Sequence, residues 1–267
     1  MTLHREVNLE DEICADLSAA GWLHDPADAG RYDRAQALFV DDTVAWIQAS
    51  QPETWDALCK SHGTAAPKVI AERLRKALDA LGTLAVLRQG FEMVGLKRPV
   101  AMGQFNSALA MNDDLQVRYA ANRLRLVRQV HYSVHHENSI DLVLFVNGIP
   151  VATVELKSHY TRHDTQSVQD AVYQYKTDRE SLFKPRNAPE PLLAFPGGAL
   201  VHFAVSNAEA AMATRLDGLH TTFLPFNQGL RAAPATRRRK ASPPTTSGRR
   251  CGSATASCRS SAATWCR

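Results

Sequence analysis

The chain has 267 residues, 45% of them hydrophobic, with 31 Lys or Arg against 27 Asp or Glu and a formal net charge of +4. That composition suits a globular protein of one large or two small domains. No run of about 18 apolar residues is present to cross a membrane, and the polar, acidic start M-T-L-H-R-E-V-N-L-E-D-E does not suit a signal peptide, so a cytoplasmic protein with no membrane partner is expected. The charge is unevenly spread. Residues 230–267 hold nine Lys or Arg and no acid, which leaves 22 basic against 27 acidic residues in 1–229, a net of −5. Cys14 and Cys59 lie in the body and Cys251, Cys258 and Cys266 in the tail, with no C-x-x-C and no histidine partner. Neither a zinc site nor a disulfide is therefore expected.

In chain order, residues 8–82 read as helical. Leu9, Ile13, Leu17 and Ala20 share a face, and Gly21 is a stop. Ala35–Ala49 and Pro52–Lys60 continue, with Ser50-Gln51-Pro52-Glu53 as the boundary between them. Ala66–Leu81 carries Val69, Leu74, Leu78 and Leu81 and closes at Gly82. Trp22, Trp46 and Trp55 read as core or interface residues. From Thr83 the pattern changes. Leu84–Leu87 and Val100–Phe105 are short strand candidates. Leu124–Val134 alternates, with Leu124, Leu126, Arg128, Val130, Tyr132 and Val134 on one face. Asp164–Phe183 reads as a polar helix, and Ala199–Ser206 and Ala210–Leu216 as a strand pair around Asn207. The expected class is α/β, an N-terminal helical layer plus a mixed central β-sheet flanked by helices.

The stretch Ile140–Ser158, I-D-L-V-L-F-V-N-G-I-P-V-A-T-V-E-L-K-S, carries most of the chemistry. Asn147-Gly148 between two apolar runs is a strong hairpin signal, because both residues tolerate positive φ. A hairpin brings Asp141, near the start of the first strand, beside Glu155, near the end of the second. Glu155 and Lys157 are two apart, so they share a face. Two carboxylates and an ammonium on one patch can hold a divalent metal and activate a water. A bare D…E-x-K triplet is weak by itself, since its bland reading is a Glu155–Lys157 ion pair with Asp141 capping a strand. The histidines His131, His135, His136, His159 and His163 complete neither an H-E-x-x-H nor a deaminase signature, and read as surface or groove residues.

The N-G-I-P-V-A-T-V-E-L-K run resembles the PD-(D/E)xK nuclease core, and more narrowly the N-terminal nuclease domain of the restriction (R) subunit of type I restriction enzymes. Tyr119-x-x-Asn122-Arg123-Leu124, Arg128-Gln129-Val130, Leu200-Val201-His202-Phe203 and Phe223-Leu224-Pro225-Phe226-Asn227 agree with it. The likeness covers roughly residues 1–229, split as a helical part (1–82) and a nuclease core (83–229). The resemblance implies a Mg²⁺-dependent endonuclease acting on double-stranded DNA beside methyltransferase and specificity subunits. It implies Asp141, Glu155 and Lys157 as catalytic residues, with Asp141, Glu155 and the Leu156 backbone carbonyl as metal ligands. Gln169-x-x-x-Tyr173 matches a Q-x-x-x-Y motif of the family, with Gln166, Gln174 and Tyr175 as alternatives in register. Gln169 and Tyr173 would support the DNA backbone, as would Arg123 and Arg128. Arg123 and Arg125 share one strand face and Arg128 takes the other, so not all three can line one DNA path.

Those subunits continue into an ATP-driven translocase, which is absent from this chain. No P-loop or G-x-G-x-x-G is present, so ATP is expected only in the full-length family member, not on this fragment. Past Gly229 the sequence turns to Arg, Ala, Ser, Thr and Pro without apolar periodicity, which cannot bury a core and reads as a disordered basic tail. It is either a nucleic-acid arm or the product of a frameshift, and the abrupt break after a family-like stretch favours the frameshift. The alternative to a nuclease is an inactive truncated fragment that docks on partner subunits or binds DNA nonspecifically.

Overall fold

The computed structural model describes residues 3–106, 112–157, 168–179, 181–183 and 188–226. His159, His163, Gln166, the first residues of the expected polar helix and the basic tail lie outside the described residues.

The helical layer forms as its periodicity requires. Helix α1 (Leu3–Ala19) is followed by α2 (Val40–Ser50), α3 (Pro52–His62) and α4 (Ala66–Leu81). Pro residues sit in the first turns of α3 and α4, where the missing N–H costs nothing. Gly82, at φ +87, ends α4. Helix α2 starts at Val40 rather than Ala35. The Asp33 carboxylate accepts the N–H groups of Ala35 and Gln36, and Ala37 takes φ +52. This local turn outcompetes a helical start. Trp46 is buried, and its indole N–H donates to the Ala101 carbonyl at 2.8 Å.

Two expected strands are absent. Leu84–Leu87 lies in a short helix, α5 (Thr83–Gln89), bounded by Gly82 and Gly90, both at positive φ. A four-residue apolar run cannot distinguish helix from strand, and here Val86 and Leu87 close the helical core. Val100 makes one bridge, to Phe91. Beyond it, side chains take the backbone groups that a ladder would use. Ala101 is held by Gln51 through both its N–H and its carbonyl, and Asn147 bonds the Met102 carbonyl. Helix α6 (Asp113–Ala120) begins at Asn112, whose side chain caps the Leu115 N–H.

A six-stranded mixed sheet follows, with spatial order β1 (Leu124–His131), β2 (Ser139–Val146), β3 (Ile149–Lys157), β6 (Val201–Ser206), β7 (Ala210–Ala213) and β8 (Leu224–Pro225). Only β3–β6 is parallel, and helix α7 (Val168–Thr177) lies between those two strands in sequence. The expected polar helix therefore stops at Thr177, and Leu182–Phe183 forms β4 of a separate two-stranded ribbon with β5 (Ala188–Pro189). The open edge of β1 is covered by Leu23, which exchanges backbone hydrogen bonds with Leu124 and Leu126. Helix α1 packs Leu9, Ile13, Cys14 and Leu17 on one face of the sheet, against Leu126, Leu142, Val154 and Leu156. Helix α7 packs on the other with Val168, Ala171, Val172 and Tyr175. Helices α2–α5 form a third cluster around Ile149, at the hairpin end. The α/β class with a mixed sheet flanked by helices is borne out. Among the described residues no helix is long and apolar enough to cross a membrane.

The hairpin turn is as expected, with Asn147 at φ +51 and Gly148 at φ +83, but it is buried rather than solvent-facing. Asn147 is 0% exposed. Its side-chain amide donates to the Met102 carbonyl (3.0 Å) and to Asn122 Oδ1 (2.9 Å), and its Oδ1 accepts the Arg123 N–H (2.7 Å). The start of α2 closes over the turn. Phe39 N–H donates to the Gly148 carbonyl, and the Thr43 hydroxyl donates to that of Asn147. A Cβ on Gly148 would meet Thr43 Oγ1 at 2.2 Å and the Phe39 carbonyl oxygen at 2.4 Å. Gly148→Ala combines a backbone clash with a strained φ, and it is expected to cost roughly 2–4 kcal/mol. Urea unfolding of the variant checks this, and a loss under about 0.5 kcal/mol would contradict the packing described.

Candidate active site

Four elements converge at the end of the hairpin remote from its turn. The β2–β3 ladder runs out at Leu142–Val154, and one further step in the same register places Asp141 opposite Glu155. The backbones do not simply continue the ladder there. Asp141 Oδ2 instead accepts the Leu156 N–H at 2.7 Å. Asp141 Oδ1 lies 3.4 Å from Gln129 Nε2 on β1.

Glu155 lies on the face of β3 that α7 covers, and it is 0% exposed. Its Oε1 accepts the Arg179 Nε–H at 2.6 Å, while its Oε2 is buried with no hydrogen-bond partner among the described residues. Burial, and then the nearby Asp141 charge, pushes the Glu155 carboxyl up to about 8 against the opposing pull of Arg179 and Lys157. Arg179 follows α7 by two residues, is 7% exposed, and spends Nη2 on the Ser139 carbonyl at 2.8 Å. The guanidinium thus ties the start of β2 to the middle of the site. Lys157 ends β3 two residues beyond Glu155, half-buried. Glu155 is underlain by a chain of buried groups. The Tyr175 hydroxyl and Thr153 Oγ1 are 2.8 Å apart, as are Thr153 Oγ1 and His202 Nδ1. Burial holds His202 far below its ordinary value, near 3, so its ring is neutral.

Of the residues expected from sequence, Asp141, Glu155, Leu156 and Lys157 are brought together. Gln169 and Tyr173 are on the outer face of α7, and Tyr173 is 65% exposed. Tyr175, the alternative in register, is the tyrosine turned toward β3. Arg123 and Arg128 sit elsewhere, in ion pairs. Arg123 Nε reaches Asp42 (2.7 Å), and Arg128 reaches Glu10 and Asp11 on α1 (2.7 Å each). Arg123 and Arg125 do share a strand face, since both bind Asp42, and Arg128 takes the opposite one. The described histidines have other surroundings: His131 Nδ1 lies 2.8 Å from the Glu137 carbonyl oxygen, and His136 stacks edge-on with Tyr132.

Sequence reasoning missed Arg179, Gln129 and the Tyr175–Thr153–His202 chain. One signal was present: a glutamate inside an apolar strand requires a buried cationic partner. Nothing local indicated which of the many arginines would supply it.

The donor set fits a hard divalent cation. A buried carboxylate oxygen without a partner, beside a second carboxylate, is the arrangement that a cation would satisfy. Among the described residues no group of three or more His, Cys, Asp or Glu gathers in ligand geometry. The described residues would therefore supply two carboxylates and a backbone carbonyl, which suits an ion that retains several waters.

In comparison with known families the chain matches the family described as type I restriction enzyme R protein N terminus, over residues 10–220. No curated protein matches the chain.

The raised Glu155 value has a consequence for stability. A carboxyl whose folded pKa lies above its unfolded one binds more protons in the folded state, so metal-free stability falls as pH rises from about 4.5 through about 8. Glu155→Gln removes this group. The stability of the variant relative to the parent should therefore rise across that window, by up to roughly 4–5 kcal/mol in total. Urea titrations of both proteins in chelator at pH 5, 6.5 and 8.5 measure it. A pH-independent difference would show that Glu155 is ionised throughout.

Proposed function

Since the chain belongs to the family of type I restriction enzyme R protein N termini, we propose that it is the Mg²⁺-dependent endonuclease module of such an enzyme, hydrolysing phosphodiester bonds in double-stranded DNA. The observation that carries this reading is the Asp141–Glu155 pair, in which one buried carboxylate oxygen, Glu155 Oε2, has no hydrogen-bond partner among the described residues.

In this proposal Asp141, Glu155 and the Leu156 carbonyl hold the cation. A bound Mg²⁺ would supply a water of lowered pKa and positive charge near the phosphoryl oxygens. The chain's own residues do the rest. The Leu156 N–H fixes Asp141 Oδ2, so the other oxygen is presented outward. Arg179 occupies Glu155 Oε1 and leaves Oε2 for the ligand. Lys157 orients the attacking water or stabilises charge on the phosphoryl group in the transition state. Gln169 and Tyr173, on the outer face of α7, would contact the DNA backbone by hydrogen bonding and packing. Arg123 and Arg128 enter the same role with carboxylates already on their guanidinium groups, so contact with a phosphate would require an exchange of partners.

The wider setting belongs to the same proposal: a cytoplasmic type I complex in which methyltransferase and specificity subunits select the DNA, and in which ATP is used by the full-length R subunit rather than by this segment. The test is nicking of supercoiled plasmid by the 267-residue chain with Mg²⁺ or Mn²⁺. The parent is expected to nick. Asp141→Asn, Glu155→Gln and Lys157→Ala should each reduce the rate by at least about 100-fold with unchanged circular dichroism. A variant that retains full activity removes that residue from the site. A folded parent that never nicks would replace the nuclease reading with that of a domain that docks on partner subunits.

A further inference from the structure

Among the described residues, three non-glycine residues adopt positive φ: Ala37, Gln129 and Asn147. The first belongs to the turn before α2 and the last to the hairpin. Gln129 is different. It lies inside β1 at φ +48, flanked by the regular pairs Arg128–Leu142 and Val130–Ile140 in one unbroken register. No turn, bulge or register shift calls for a left-handed residue there, and a side chain with a Cβ rarely adopts one.

What the conformation achieves can be read from the two core faces. On β1, Leu126 faces α1, yet Val127 and Val130, three residues apart, both enter the core under α7. On β2, Leu142 faces α1, yet Ile140 and Val143 both enter the core under α7. Both strands therefore switch faces between the pairs Arg128–Leu142 and Val130–Ile140, at Gln129 and Asp141, the position that the ladder skips. The Gln129 side chain is also engaged. Ser139 Oγ donates to its Oε1 at 3.1 Å, which orients the amide so that Nε2 points at Asp141 Oδ1, 3.4 Å away. That is the Asp141 oxygen not taken by the Leu156 N–H.

We infer that Gln129 is a positioning residue for Asp141: its strained backbone turns the β1–β2 pair at the site, and its amide aims the outward Asp141 oxygen at the bound cation. The inference rests on the metal-nuclease reading above. Groups that orient metal ligands typically change affinity by about 10- to 100-fold when removed.

Two substitutions separate the effects. Gln129→Met keeps the side chain's length and the strain but removes the amide. Gln129→Gly removes the amide and relieves the strain. Mn²⁺ binding to the full chain is measured by calorimetry, together with melting temperature in chelator. Both variants are expected to bind Mn²⁺ about 10-fold more weakly than the parent, and Gln129→Gly is expected to melt no lower than the parent. If either variant binds Mn²⁺ as tightly as the parent, the inference is overturned while the nuclease reading stands. If Gln129→Gly melts several degrees lower, the side chain holds the strand pair rather than Asp141, and the inference again fails. A parent that binds no Mn²⁺ overturns the metal site and this inference together.

Discussion

The constraint on which the rest of the site depends is the burial of one carboxylate, Glu155, in the middle of the sheet. Removing an ionised carboxylate from water costs several kcal/mol even after the protein relaxes, and one cationic partner repays that only with full hydrogen bonding. Arg179 bonds a single oxygen, and the second has no partner among the described residues. Asp141 adds repulsion to desolvation, and together they outweigh Arg179 and Lys157. A core selected for stability alone would place an apolar residue at this position, as Val154 and Leu156 do on the opposite face of the same strand. The incomplete pairing is intelligible as a site that a bound cation completes.

Holding such a pair in place requires a rigid frame, and the frame is largely ionic where the sheet meets the helical layer. Arg125 bonds Asp42 through two nitrogens and also reaches Asp28, with its guanidinium 4.3 Å from the centre of the Phe39 ring. Arg123 binds the same Asp42. Burial pushes the Asp42 carboxyl up, but the hydrogen bonds from Arg125 and Arg123 prevail and hold it below the usual carboxylate range. Unlike Glu155, Asp42 is oversupplied with donors. The two acids show opposite solutions to burial: a satisfied pair that locks β1 to α2, and an unsatisfied one open to a ligand.

Legibility in the sequence followed the range of the interaction. The Asn147-Gly148 turn was readable because both residues carry their own φ preference, and the hairpin then fixed Asp141 opposite Glu155 without further information. Helices α1–α4 were readable from periodicity, with Gly82 as a stop. The failures occurred where distant groups decided. Leu84–Leu87 could be helix or strand until the helical core claimed Val86 and Leu87. Val100–Phe105 lost its strand because Gln51, Trp46 and Asn147 took its backbone groups. The alternation of Leu124–Val134 suggested one continuous face, and the left-handed Gln129 divides that face between two cores. Gln169 and Tyr173 have the right spacing for a shared face, but Tyr175 is the residue that the packing of α7 turns inward. Arg179 was invisible because its partner lies 24 residues away across a crossover.

That crossover links the fold to the site. A parallel β3–β6 pair cannot be made by a tight turn and needs a long connection, here containing α7. Once α7 lies across β3, its inward face supplies Tyr175 beneath Thr153, and the chain leaving it delivers Arg179 to Glu155 and to the Ser139 carbonyl. One guanidinium thereby touches the start of β2 and the end of β3, the two strand ends that carry the acids. The spacing of Asp141 and Glu155 is thus set twice, by the hairpin turn at one end and by the crossover arginine at the other. The region between these restraints is where Gln129 bends the sheet. Strain placed between two fixed points cannot dissipate by sliding the register, so it stays at the site and acts on Asp141.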